Sequence, residues 1–111
     1  MMTMRKTLLA AGCAAMLAST PLLLAQKGDA AKGKSLFEDN CAVCHDAESA
    51  DKKIGPGLKG LFKKDKMNNG KKPTDANVRA LVNAGGNGMP SFSDTLNDGE
   101  RENVLAYLKT L

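Results

Sequence analysis

The chain has 111 residues, with sixteen Lys and Arg against twelve Asp and Glu, three Cys, one His and no Trp. That length holds one domain and not two. The mild charge balance, without Arg-rich or aromatic-interleaved runs, excludes a nucleic-acid binder. The absence of any useful period-two alternation excludes a sheet protein.

The first 25 residues read as a targeting segment. Arg5 and Lys6 form a short positive start, Thr7 to Ala25 carry no charge and are mostly Leu and Ala, and polarity resumes at Gln26, Lys27 and Asp29. Cleavage after Ala25 is the leading expectation, which leaves residues 26–111 as the single working domain. Two alternatives stay open. The nineteen uncharged residues would span roughly 28 Å as a helix, enough for an uncleaved membrane anchor. The stretch "LLAAGC", ending in Cys13, is a poor match to a lipidation site. All three readings export the chain, so a periplasmic, oxidising location is expected, with membrane contact only if the leader is retained.

Without the leader, 86 residues remain, with Phe37, Phe62, Phe92 and Tyr107 as the aromatics and ten of the eleven glycines. That is little material for a self-sufficient core, and a staple is expected. Only Cys41 and Cys44 remain as thiols. A disulfide across so short a loop would stabilise little, and a zinc site needs four ligands where three Cys and His cluster. The remaining staple is a covalently attached cofactor.

Asp29 to Asn40 reads as the first helix, because Gly33, Leu36, Phe37, Asn40, Cys41 and Cys44 share one face. Residues 50–73, with four glycines and two prolines, read as loop with a short helical turn near Leu58 to Phe62. Thr74 caps a helix that carries Asp75 in its first turn and stops at Gly85. After the loop "GGNGMPSF", Asn97 and Glu100 form a capping box for a last helix with Val104, Leu105, Tyr107, Leu108 and Leu111 on its apolar face. The expected class is all-α: about four short helices joined by glycine-rich loops.

"CAVCH", residues 41–45, is the attachment signature of c-type haem. Two thiols one helical turn apart match the two vinyl groups of a haem, and the adjacent His45 is placed to reach the iron. A thioredoxin-like redox pair would need a β-α-β framework that is absent here. His45 is the sole histidine, so a second axial ligand from this chain is best sought among Met67 and Met89. Met67 lies in the polar run "KKDKMNNGKK" and is expected to be an exposed loop methionine. Met89, in "GNGMPSF", has glycines that let backbone pass close to a flat ligand and a proline that stiffens the far side. It reads as the axial ligand, against the plainer alternative of a core gap-filler.

The chain resembles class I monohaem cytochromes c over nearly all of residues 28–111. "CAVCH" looks like the haem motif, "IGPGLKGLF" like the family's Gly-Pro-x-Leu loop, "GMPSF" like the distal methionine loop and "ENVLAYLKTL" like the C-terminal helix. The resemblance implies one covalent haem c, held through Cys41 and Cys44, with His45 and Met89 on the iron. It implies that Pro56 packs beside His45, where its carbonyl or a neighbour's fixes the imidazole N–H. It also implies that Gly33 and Phe37 meet Val104 and Tyr107 where the first and last helices cross. Two departures, the missing tryptophan and the short lysine-rich loop before Pro73, point to a compact bacterial form and leave the propionate environment open.

The expected function is electron transfer between exported or membrane-bound redox partners by a monomer, not an enzyme, since the sequence supplies no distal histidine. Eight lysines against one acid in residues 52–72 read either as a solvated face or as a docking surface for an acidic partner. Two alternatives for function are a gas- or peroxide-reacting haem protein with a labile distal ligand, and a haem subunit of a membrane oxidase or dehydrogenase.

Overall fold

The computed structural model describes residues 28–111. The leader, including Cys13, lies outside the described residues. Among them are three α-helices and a single 3₁₀ turn: α1 Ala30–Asn40, the turn Leu61–Lys63, α2 Asp75–Ala84 and α3 Asp98–Leu108. The described residues contain no strands, so the all-α class holds. The short helical turn expected around Leu58 to Phe62 is a single 3₁₀ turn at Leu61–Lys63.

Each helix starts on a side-chain cap. Asp29 accepts from the amides of Ala31 at 2.9 Å and Lys32 at 3.1 Å, satisfying donors that have no partner inside the helix. Thr74 accepts from Asn77 at 3.1 Å. Asn97 and Glu100 exchange side-chain and backbone bonds of 2.8 and 2.9 Å, the expected capping box. α2 ends at Gly85, whose φ of 67° is a conformation that a side chain disfavours.

α1 and α3 touch backbone to backbone. A Cβ placed on Gly33 would lie 1.8 Å from the Asn103 carbonyl oxygen and 2.9 Å from the Tyr107 Cβ. The helices therefore approach only because Gly33 has no side chain. Phe37 lies one turn on, its ring 5.4 Å from that of Tyr107 and tilted by 57°, a favourable aromatic geometry. The Asp29 amide adds a 2.8 Å bond to Asn103 Oδ1. α2 joins α3 through Arg79, bonded twice to Glu102 at 2.9 and 2.6 Å, and through Lys109 with Asp75 at 2.6 Å. Both pairs are open to solvent, so each contributes at most about 1 kcal/mol.

The core is Phe37, Leu61, Met67, Val78, Phe92, Leu96, Val104, Leu105 and Leu108. Met67 corrects an expectation: it is only 8% exposed, not a solvent-facing loop residue. The reason is a tight turn. The Met67 amide donates to Lys71 at 2.8 Å and its carbonyl accepts from Gly70 at 2.9 Å, with Gly70 at φ 82°. The turn leaves Asn68, Asn69 and the flanking lysines in solvent and turns the one apolar side chain of the run inward. Polar neighbours describe the surface of a loop and not the direction of each side chain.

Candidate functional site

The motif begins where α1 stops. The amides of Cys41 and Ala42 both donate to the Phe37 carbonyl, at 2.7 and 3.0 Å, and those of Cys44 and His45 both donate to the Cys41 carbonyl, at 3.1 and 2.9 Å. The chain thus leaves the helix through a turn that carries Cys41, Cys44 and His45 together. Both cysteines are free thiols of intermediate exposure. Burial pushes the Cys41 thiol up to about 11, and the neighbouring charge of Cys44 adds to the shift. A thiol held neutral at pH 7 is the opposite of what a thioredoxin-like pair requires.

Residues 53–58 strap this turn. Gly55 N–H donates to the Cys44 carbonyl at 2.7 Å and Leu58 N–H to that of Asp46 at 2.8 Å, while Lys53 Nζ donates to the Ala42 carbonyl at 2.9 Å. His45 Nδ1 lies 2.8 Å from the carbonyl oxygen of Pro56. A carbonyl only accepts, so Nδ1 carries the proton in this bond and Nε2 keeps its lone pair. The strap lies flat on the ring because of Gly55, where a Cβ would fall 2.6 Å from His45 Cε1 and 2.9 Å from Nδ1. Proximity of Pro56 to His45 was legible through the resemblance. The contact of Gly55 was not, although its place before Pro56 was the available signal.

Met89 sits at the end of a two-residue hairpin. Gly86 and Met89 exchange backbone bonds of 2.9 and 3.0 Å. Asn87 and Gly88 between them have φ of 52° and 90°, the type I′ pattern that Asn-Gly favours. The glycine-rich loop expected here is thus a defined hairpin, and the Asn-Gly pair carried the signal for it. Met89 is half-buried, and both it and Cys41 pack against the one hydrophobic core. Among the described residues no three His, Cys, Asp or Glu side chains converge into a metal cluster.

These residues fit a covalently held haem. Two free thiols lie beside an imidazole with its outer nitrogen unprotonated. Both thiols are only partly buried, so neither is closed off from a group that would bond to it.

The family described as "Cytochrome C oxidase, cbb3-type, subunit III" matches residues 28–108. A cytochrome c-553-like protein of Synechocystis sp. is 37% identical over 89 residues, which is 80% of this chain and 75% of that protein. The chain belongs to this family of class I c-type cytochromes. Cytochrome c6 of Leptolyngbya boryana is 38% identical over 80 residues, covering 72% of this cytochrome and 89% of that one. The solved structure of cytochrome c6 from the diatom Phaeodactylum tricornutum superposes with a TM-score of 0.61 at 30% identity, over 75% of this chain and 93% of that chain. As a c-type cytochrome the protein carries covalently attached haem c and transfers electrons rather than catalysing a reaction on a substrate. Among the described residues no helix is long and apolar enough to cross a membrane.

Proposed function

We propose that Cys41 and Cys44 would hold the haem through thioethers, and that His45 Nε2 and the Met89 sulfur would supply the protein's two ligands to its iron. The observation that carries this reading is the 2.8 Å bond from His45 Nδ1 to Pro56, which fixes the tautomer and leaves Nε2 free beside two free thiols. Haem supplies a one-electron couple, and no proton or substrate need move. Pro56 orients the imidazole, and the bond to its carbonyl strengthens the donor nitrogen. Met89, a soft thioether, favours the reduced state relative to a second imidazole and leaves no position for an outside ligand. The chain works as an exported monomer, residues 1–25 serving as its signal peptide.

Redox partners dock on the lysine-rich face. All eight lysines between Lys52 and Lys72 are exposed, which supports long-range attraction of an acidic partner. Val43 and Ile54, exposed at 69% and 71%, lie on stretches of backbone joined by the Lys53 and Gly55 bonds. They supply an apolar contact next to the motif. The description of the matching family favours a second reading, a haem domain working within a membrane oxidase. Co-purification with a large complex from detergent extracts would support it, whereas recovery of a free 26–111 chain in the periplasmic fraction supports the carrier.

The attachment itself is tested by intact mass under denaturing conditions. The wild-type chain is expected to retain one haem, and Cys41→Ala to impair that retention. Unchanged covalent haem in Cys41→Ala would remove Cys41 from the site.

A further inference from the structure

We propose that Arg101 is a positioning residue that locks the Met89 loop shut and so protects the distal ligand from displacement. Arg101 lies in the first turns of α3, with its side chain only 11% exposed. Its Nη1 donates to the backbone carbonyls of Phe92 at 3.3 Å and Ser93 at 3.0 Å, and also to that of Leu96. Its Nη2 pairs with Asp98. The Asp98 side chain is 96% exposed, so that pair alone gives a guanidinium no reason to be buried. The three carbonyls do.

All three belong to residues 92–96, the segment that follows Met89 directly. On its other side the loop is fastened to α2: Phe92 N–H donates to the Val82 carbonyl at 3.0 Å, and Ser91 Oγ to that of Asn83. Gly85, at the end of the same helix, packs so closely that a Cβ there would lie 2.4 Å from the Met89 carbonyl. The loop is therefore stretched between α2 and α3, and Arg101 is its charged fastening to α3. Bonds from a charged donor are about twice as strong as neutral ones. A guanidinium serves several carbonyls at once through a rigid fork that an ammonium lacks.

The inference rests on Met89 being the distal ligand. An outside ligand takes that position only after Met89 leaves, and Met89 leaves when residues 89–96 swing away from α3. That movement breaks the Arg101 bonds, so their strength enters the affinity for any competitor. Arg79 provides the matched comparison. It also joins α3, through Glu102, but it is 39% exposed and bonds no residue of the loop.

The test uses haem-loaded protein and an optical titration of the ferric form with imidazole, alongside urea unfolding. Arg101→Gln is expected to bind imidazole at least about tenfold more tightly than wild type, the equivalent of one charge-assisted hydrogen bond. Arg101→Lys is expected to fall between the two, and it serves as the test if the Gln variant does not accumulate. Arg79→Gln is expected to bind as wild type even when its urea midpoint drops equally. In a Met89→Ala background, Arg101→Gln should add nothing, because the position is already open. Equal shifts in the Arg101 and Arg79 variants, or no shift in either Arg101 variant, overturn the inference while leaving Met89 in place. Wild-type affinity in Met89→Ala instead removes Met89 as the ligand, and the inference with it.

Discussion

Replacing Gly55 by Ala isolates the contact between the strap and the proximal imidazole. The added methyl would sit 2.6 Å from His45 Cε1, 2.9 Å from Nδ1 and 3.2 Å from Nε2. Ordinary carbon contacts begin near about 3.5 Å, so ring or strap must give by roughly 1 Å. The strap is held by Gly55 N–H to Cys44 at 2.7 Å, and the ring by its 2.8 Å bond to Pro56. Relief at either point breaks a hydrogen bond. Overpacking of about 1–3 kcal/mol plus a lost bond of about 1 kcal/mol gives roughly 2–4 kcal/mol. For a domain of this size that lowers the melting temperature by at least about 8 °C. Loss of the Nδ1 bond also makes the imidazole a weaker donor. A weaker donor stabilises ferric iron less, so the reduction potential should rise. Gly60→Ala is the control, since Gly60 has φ 70° and nothing within 4 Å of its Cβ position. It carries only the left-handed backbone cost of about 1 kcal/mol. Thermal melts and potentiometric titration of the two variants decide the matter. If Gly55→Ala is no less stable than Gly60→Ala and keeps the wild-type potential, the strap does not set the imidazole.

Gly33→Ala should force α1 off α3, because its methyl would meet backbone at 1.8 Å. Circular dichroism in urea should show a loss of about 3 kcal/mol or more, and a loss below about 1 kcal/mol would mean the helices do not cross there. Met67→Ala should cost about 2–4 kcal/mol as a cavity in the core with almost no change in the haem spectrum, and wild-type stability would return Met67 to the surface. Asn97→Ala removes one half of the capping box, and a drop of about 1 kcal/mol is expected in the same assay. The second-order rate of electron transfer to an acidic partner should fall steeply as ionic strength rises. A flat salt dependence would reduce the lysines to a solvated face.

Features set by neighbours in sequence are legible from the chain alone. Thr74, Asn97 with Glu100, and Gly85 act where the sequence places them, because caps are made within three or four residues. Cys41, Cys44 and His45 are legible because one short spacing holds the whole attachment chemistry. The crossing of Gly33 and Phe37 with Tyr107 follows from the family resemblance, and the backbone contact at Gly33 explains it. The rest depends on partners that no local spacing reveals. Met67 is inward because of a turn closed by Lys71. Gly55 matters because the fold lays it on the ring of His45. Arg101 is buried by carbonyls of the preceding loop, and no local pattern announces such a side chain.

The account turns on a six-coordinate iron held by His45 and Met89, and the optical spectrum of the purified protein tests it most directly. Low-spin six-coordinate haem c in both oxidation states, with a sulfur-to-iron band that Met89→Ala abolishes and no carbon monoxide binding at neutral pH, is the predicted result. High-spin five-coordinate reduced iron that binds carbon monoxide readily would contradict it, and would favour a gas- or peroxide-reacting haem protein instead.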